Sequence, residues 1–329
     1  MRTFRAVAMG VAGLALTVGL AACGSTTTAA PSESAKPAAA EAFATITHAM
    51  GETVIPTQPK RVVALDQSFV DAVLTLETQV VGYTTYRSID DKLPEYLGPL
   101  VEQYGKDATA VGSLEQPSLE KIMALKPDLI VSAKVRHEAL YSKLSQIAPT
   151  VFSETTGAIW KDNIRLMGKA LGKEELADTK IKQFEERAGK IGEEIKKKDG
   201  KLPTISIVRF AGEPTTRLYV ENSYSGVVLK DVGFPRPEGQ PTKPDAIAVD
   251  VSQERIADLD ADHIFVSTYP DPTTDGPKEK FVGNPLWGKL KGTKHEVSDL
   301  TWMSAVGMQG AHAILDDLAA KFSVDPAKA

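Results

Sequence analysis

The chain has 329 residues, with 43 acidic against 38 basic side chains, a formal charge of −5 and a single cysteine. That balance argues against nucleic acid as a partner, since nucleic-acid surfaces are met by strongly positive ones. One cysteine excludes an internal disulfide framework, and the length is enough for two substantial cores.

Met1–Ala22 carries Arg2 and Arg5 at its start, no charge from Ala6 onward, and small residues at its exit, which is the pattern of an export signal. Leu20-Ala21-Ala22-Cys23 holds the lone cysteine and is followed by Gly24 and Ser25. These four residues resemble the lipobox of bacterial lipoproteins, which implies cleavage before Cys23 and thioether lipidation of its sulfur. Without residues 1–22 two arginines are lost and the formal charge becomes −7. Thr26–Glu41 is rich in Ala, Thr, Ser and Pro with no apolar period, so it reads as a flexible tether, bounded here as residues 23–50. No later stretch is apolar enough to span a bilayer.

Residues 51–173 form the first predicted lobe. After a short hairpin near His48–Ile55, Arg61–Leu65 reads as a strand, Asp66-Gln67-Ser68 as the cap of a helix running to Leu76, and Val80–Tyr83 as a second strand. Strand, helix and strand in so short a span favour parallel pairing. Pro94–Gly105 reads as an irregular excursion. Ile130–Ser132 ends a further strand and delivers Lys134, Arg136 and His137 to its carboxyl end, before the short strand Pro149–Phe152 and a helix bearing Trp160.

Glu174–Lys198 contains no proline and places Ile181, Phe184, Ala188, Ile191 and Ile195 on one helical stripe. At 1.5 Å per residue it reaches roughly 37 Å, and it reads as a rigid strut joining two lobes. Residues 199–329 form the second lobe. Thr204–Val208 is a strand leading to Arg209 and Phe210, Thr216–Val220 is extended, and Ser223 precedes a short helix. His263–Val266 is a strand leading to Tyr269, and Val306–Lys321 is a closing amphipathic helix.

An internal repeat ties the lobes together. Ser118-x-Glu120-x-Ile122-x-x-Leu125-x-x-Asp128-x-Ile130 recurs as Ser252-x-Glu254-x-Ile256-x-x-Leu259-x-x-Asp262-x-Ile264, identical at six positions. Each copy reads as a Ser-capped helix with Glu in its first turn and Ile and Leu facing a core, so the lobes share an architecture. The expected fold is α/β, two small sandwiches joined by one long helix.

The histidines show no spaced metal signature, no phosphate-binding glycine loop is present, and no serine sits in a nucleophile elbow, so nothing in the sequence argues for an enzyme. Polar and aromatic residues instead gather at the carboxyl ends of predicted strands, where open α/β sheets place ligands. The first lobe offers Tyr83, Tyr86, Lys134 and Arg136; the second offers Arg209, Phe210, Tyr224, Tyr269 and Trp302. Arg236, in a proline-rich loop, adds to the basic set.

The lipobox, the Ser-x-Glu-x-Ile segment leading to Lys-Pro-Asp-Leu-Ile, Leu140–Phe152 and the strut together resemble the iron-siderophore binding proteins of ABC importers over about residues 52–320. That helical-backbone class also takes ferric citrate, haem and vitamin B12. Glu154–Gly157 with Trp160, Arg236–Gln240, and Pro285–Trp287 with Trp302 resemble its hydroxamate branch in Gram-positive bacteria, including actinobacterial ferrioxamine binders. The resemblance implies a lipid-anchored, extracytoplasmic, monomeric protein that captures a ferric siderophore, most plausibly a hydroxamate. Catecholate, citrate, haem and vitamin B12 remain alternatives, and a non-transport surface lipoprotein or adhesin is the lesser one. It also implies that iron is ligated only by the siderophore, with no resident cofactor. Glu120 and Glu254 fall on the glutamates that dock onto the permease dimer, and Arg136 and Trp302 on ligand contacts.

Overall fold

The computed structural model describes residues 42–328, apart from residues 87–89, 91, 214 and 244. Cys23 and its signal lie outside the described residues. A hairpin of β1 (Ala44–His48) and β2 (Gly51–Ile55) comes first, so the folded chain begins before residue 50, where the sequence reading ended the tether. Its side chains explain the shift: Ile46 and Ile55 are buried in the core, and Thr53 Oγ1 donates to the Thr150 carbonyl at 2.8 Å.

The first lobe is a parallel sheet of β3 (Val62–Ala64), β4 (Val80–Thr85), β5 (Thr109–Ser113), β6 (Leu129–Ala133) and β7 (Thr150–Ser153), in the order β5-β4-β3-β6-β7. The second contains β8 (Ile205–Phe210), β9 (Thr216–Tyr219), β10 (Ala248–Val251), β11 (His263–Thr268) and β12 (Thr293–Ser298), in the order β10-β9-β8-β11-β12. Strand for strand this is the same order, with the first strand of each lobe at the centre. One difference has a simple cause. In the first lobe α1 (Gln67–Thr75) separates β3 from β4, whereas only Ala211–Thr215 separates β8 from β9, too short for a crossover, so β9 turns back antiparallel.

The repeat does the same work twice. Ile122 and Ile256 are both fully buried, each under the outer face of its own sheet. Asp128 accepts the backbone N–H groups of Lys60 and Arg61 just before β3, and Asp262 accepts that of Thr204 just before β8. Only the cap differs. Ser118 Oγ accepts from Lys121 N at 3.3 Å at the start of an α-helix, whereas Ser252 makes no such bond and its segment is a 3-10 helix.

The connecting helix spans Glu174–Asp199, and all five stripe residues are buried. It is not a bare strut. It packs against Trp160–Leu171 of the first lobe and against Tyr224–Val232 and Met308–Phe322 of the second, so one apolar core runs through both lobes on their inner side. Gly192 permits the closest approach, since a Cβ there would lie 2.0 Å from the Val232 carbonyl oxygen. The stretch read as irregular is ordered, and so is a proline-bearing segment after β11. Pro94–Gly105 holds a 3-10 turn and the helix Pro99–Tyr104. Pro272–Val282 is a helix that starts from an Asp271 cap with proline in its first turn, and it tolerates Pro277 inside.

Candidate ligand site at the carboxyl edges

In each lobe the strand order reverses beside the central strand, between β3 and β6 and between β8 and β11, and crevices at such switch points receive ligands. Asp66 follows β3 and caps α1 by accepting Ser68 N at 2.9 Å. Its other oxygen accepts Arg136 Nε at 2.9 Å, from the short helix after β6, so this ion pair bridges the switch point. The Arg136 side chain keeps 35% of its surface exposed. His137 anchors that helix, with Ser132 Oγ at 2.7 Å and the Leu114 carbonyl at 2.6 Å on its two ring nitrogens. Lys134 pairs with Glu154 at 3.2 Å and remains one-third exposed. Tyr86, beyond the end of β4, is half-buried.

The second lobe is built differently. Arg209 is buried at the end of β8, donating to both oxygens of Asp299 at 2.6 and 2.8 Å and to the Tyr219 hydroxyl at 2.9 Å. Burial works against its charge, but Tyr219 and Asp299 outweigh that and raise its pKa. Ser267 and Ser304 complete the shell by donating to Asp299. Directly across the β8–β9 ladder from Arg209 stands Arg217, on the same sheet face, half-exposed and paired with Glu213. Lys278 donates to Thr268 Oγ1 at 2.8 Å, at the end of β11, and lies 3.7 Å from Glu296. Tyr269 is half-buried at the same edge.

Several predicted contacts are elsewhere. Trp302 is fully buried, stacked on Phe265 at 4.7 Å, with Nε1 donating to Asp317 at 2.8 Å. Tyr224 is buried edge-on to Trp160 and donates its hydroxyl to the Gly307 carbonyl. Phe210 points to the outer core with Phe281 and Trp287. Arg236 lies beside Ile205 at the amino end of β8, opposite the ligand edge, and burial lowers its pKa to about 10. Trp302, Tyr224 and Phe210 have the composition of a ligand cage but fold as core, because apolar and amphipathic side chains beside a strand end can turn inward as readily as out. Arg217, Lys278 and Asp299 went unnoticed in the sequence. The alternation Thr216-Arg217-Leu218-Tyr219 was the signal for the first of them, legible only once β9 is known to pair with Arg209.

Residues 62–296 match the periplasmic binding protein family. The chain belongs to this family. Among periplasmic binding proteins it is 35% identical over 320 residues to the probable siderophore-binding lipoprotein YfiY of Bacillus subtilis, covering 92% of this chain and 94% of the relative. It is 30% identical over 278 residues to the Fe(3+)-citrate-binding protein YfmC of Bacillus subtilis, covering 82% and 83%. The crystal structure of Staphylococcus aureus SirA complexed with staphyloferrin B superposes with a TM-score of 0.77 at 32% identity, covering 86% of this chain and 99% of SirA. The fold of this periplasmic binding protein is therefore the two-lobe, long-helix form, and its family binds rather than catalyses. These relatives come from Bacillus and Staphylococcus and lend no support to an actinobacterial origin. Among the described residues no group of three or more His, Cys, Asp or Glu is placed to hold a metal ion.

Proposed function

We propose that this protein is an extracytoplasmic lipoprotein, anchored through lipid on Cys23, that captures an anionic ferric siderophore between its lobes and delivers it to an ABC permease. Its similarity to a siderophore-binding lipoprotein, a ferric-citrate-binding protein and the staphyloferrin B complex of SirA supports the cargo class. The observation that carries the finer reading is the company its cations keep. Lys134, Arg136, Arg217 and Lys278 are partly exposed at the ligand edges, each beside one carboxylate. The carboxylates beside Lys134, Arg217 and Lys278 are themselves exposed, and such pairs are worth about 0–1 kcal/mol, so a ligand oxygen can replace them at little cost. Arg136 instead stays on the buried Asp66 and offers its remaining exposed N–H groups. A hydroxamate shell would lean more on aromatic walls, and Trp302, Tyr224 and Phe210 are in the core. Tyr86 and Tyr269 remain at the edge to pack against the ligand. Iron travels inside its chelator as cargo, with no protein ligand.

Glu120 and Glu254 are exposed at matched positions of the two repeats, which suits one contact with each half of a permease dimer. The ligand contacts are tested by calorimetry on Arg136→Ala, Arg217→Ala and Lys278→Ala with ferric citrate. Losing one charge-assisted hydrogen bond predicts a loss of about ten- to hundredfold each. Unchanged affinity in all three would overturn the assignment.

A further inference from the structure

The Asp71 carboxylate is wholly buried in α1 of the first lobe, yet its backbone partners belong to the second. It accepts the backbone N–H of Gln309 at 3.0 and 3.1 Å and that of Gly310 at 3.3 Å. These are free N–H groups in the first turn of the helix Met308–Phe322. Thr75 Oγ1 donates to Asp71 at 3.2 Å and accepts from Gln309 Nε2 at 3.0 Å. The chain leading into that helix is shaped around the carboxylate. A Cβ on Gly307 would lie 2.3–2.6 Å from three Asp71 atoms, and Val306 adopts φ of +48°, where β-branched residues are rare. The Tyr224 hydroxyl holds the Gly307 carbonyl at 2.8 Å.

Each end of this contact leads to a cation site. Asp71 lies little more than one helical turn beyond Asp66, which holds Arg136. Gln309 follows the short π-helix Leu300–Ser304 that begins next to Asp299, which holds Arg209 and, through Tyr219, the Arg217 neighbourhood. We propose that Asp71 is a positioning residue for ligand capture. Its hydrogen bonds to the start of the helix Met308–Phe322 fix the separation of the Arg136–Asp66 pair from the Arg209–Asp299–Arg217 group. This rests on Arg136 and Arg217 standing at the ligand edge, with the buried Arg209–Asp299 pair as the support behind Arg217. An ordinary helix cap comes from the residue beside its own helix and stabilises only that helix. This one reaches across 238 residues of sequence from another lobe, so removing it frees the lobe spacing as well.

Pulsed electron resonance distances test the proposal without any ligand. The full chain carries Cys23→Ser with nitroxides at Glu102→Cys and Glu279→Cys, both exposed helical positions, one per lobe. The parent gives one narrow distance population, and Asp71→Ala gives a broadened or shifted one. Asp71→Asn, which keeps a single acceptor oxygen, gives an intermediate width and decides the matter if the alanine variant does not fold. An unchanged distribution alongside a lowered unfolding midpoint would make Asp71 a local cap and overturn the proposal. If broadening leaves about a tenth of molecules with the competent spacing, ferric citrate binds roughly tenfold more weakly and mainly through slower capture. Parent protein that binds no ferric siderophore would overturn the functional reading instead, and the distances would still decide the role of Asp71.

Discussion

Removing either partner of the Arg209–Asp299 pair separates a structural arginine from a ligand contact. Their side chains are 6% and 3% exposed, and the pair is bidentate. Asp299→Ala would leave a buried guanidinium with Tyr219 as its remaining partner, and breaking such a pair costs about 3–5 kcal/mol. Arg209→Met leaves Asp299 with the hydroxyls of Ser267 and Ser304, at 2.9 and 3.2 Å, so its cost falls at the lower end, about 3 kcal/mol. The double variant Arg209→Met with Asp299→Leu removes both charges and should cost at least about 2 kcal/mol less than the sum of the singles. Urea unfolding near neutral pH, with the slope checked for constancy, measures all three. Additivity within about 0.5 kcal/mol would refute the coupling and return Arg209 to the list of free ligand contacts.

Trp302→Ala should destabilise the fold by about 3–5 kcal/mol, while Trp302→Phe, which keeps the stack on Phe265 and loses the bond to Asp317, should cost about 1.5–3 kcal/mol. Loss of ligand affinity without loss of stability would place this ring at the ligand after all. Glu120→Gln with Glu254→Gln should leave siderophore affinity within about twofold but reduce cellular uptake of ferric siderophore markedly, because exposed charges set encounter and registry more than affinity; uptake unchanged at matched protein levels would make them caps. Burial raises the Asp71 pKa to about 6, against about 3.9 unfolded, with Tyr96, Tyr224 and Asp66 as its titratable neighbours. The native state then holds that proton more tightly, so the contribution is full below about pH 4 and lost as pH rises through about 6. Relative to Asp71→Asn the parent should lose about 3 kcal/mol across that window, and a flat difference would deny the shift.

The lobes were legible because duplication leaves a pattern that survives divergence. Ile122 and Ile256, or Asp128 and Asp262, meet the same demands of burial and strand anchoring in both copies. The connecting helix was legible for a similar reason, since its stripe has one period over its whole length. The site was harder. Arg136 is found at its strand end because a charged side chain following a buried strand must leave it. Trp302 and Tyr224 share that kind of position but can turn inward, and only the packing of Phe265 and Trp160 decides. Asp71 could not have been found at all, since its backbone partners lie more than two hundred residues away and it looks like any acidic residue on a helix.

Calorimetric titration of the full chain with ferric siderophores graded by charge tests the central claim most directly. The series would run from an uncharged ferric trihydroxamate through ferric citrate to a ferric catecholate. The edge cations predict that at least one anionic complex binds with micromolar or tighter affinity, and about tenfold or more above the uncharged one. Tightest binding to the uncharged complex would contradict the anionic reading, and binding to none of the series would contradict ferric-siderophore capture itself.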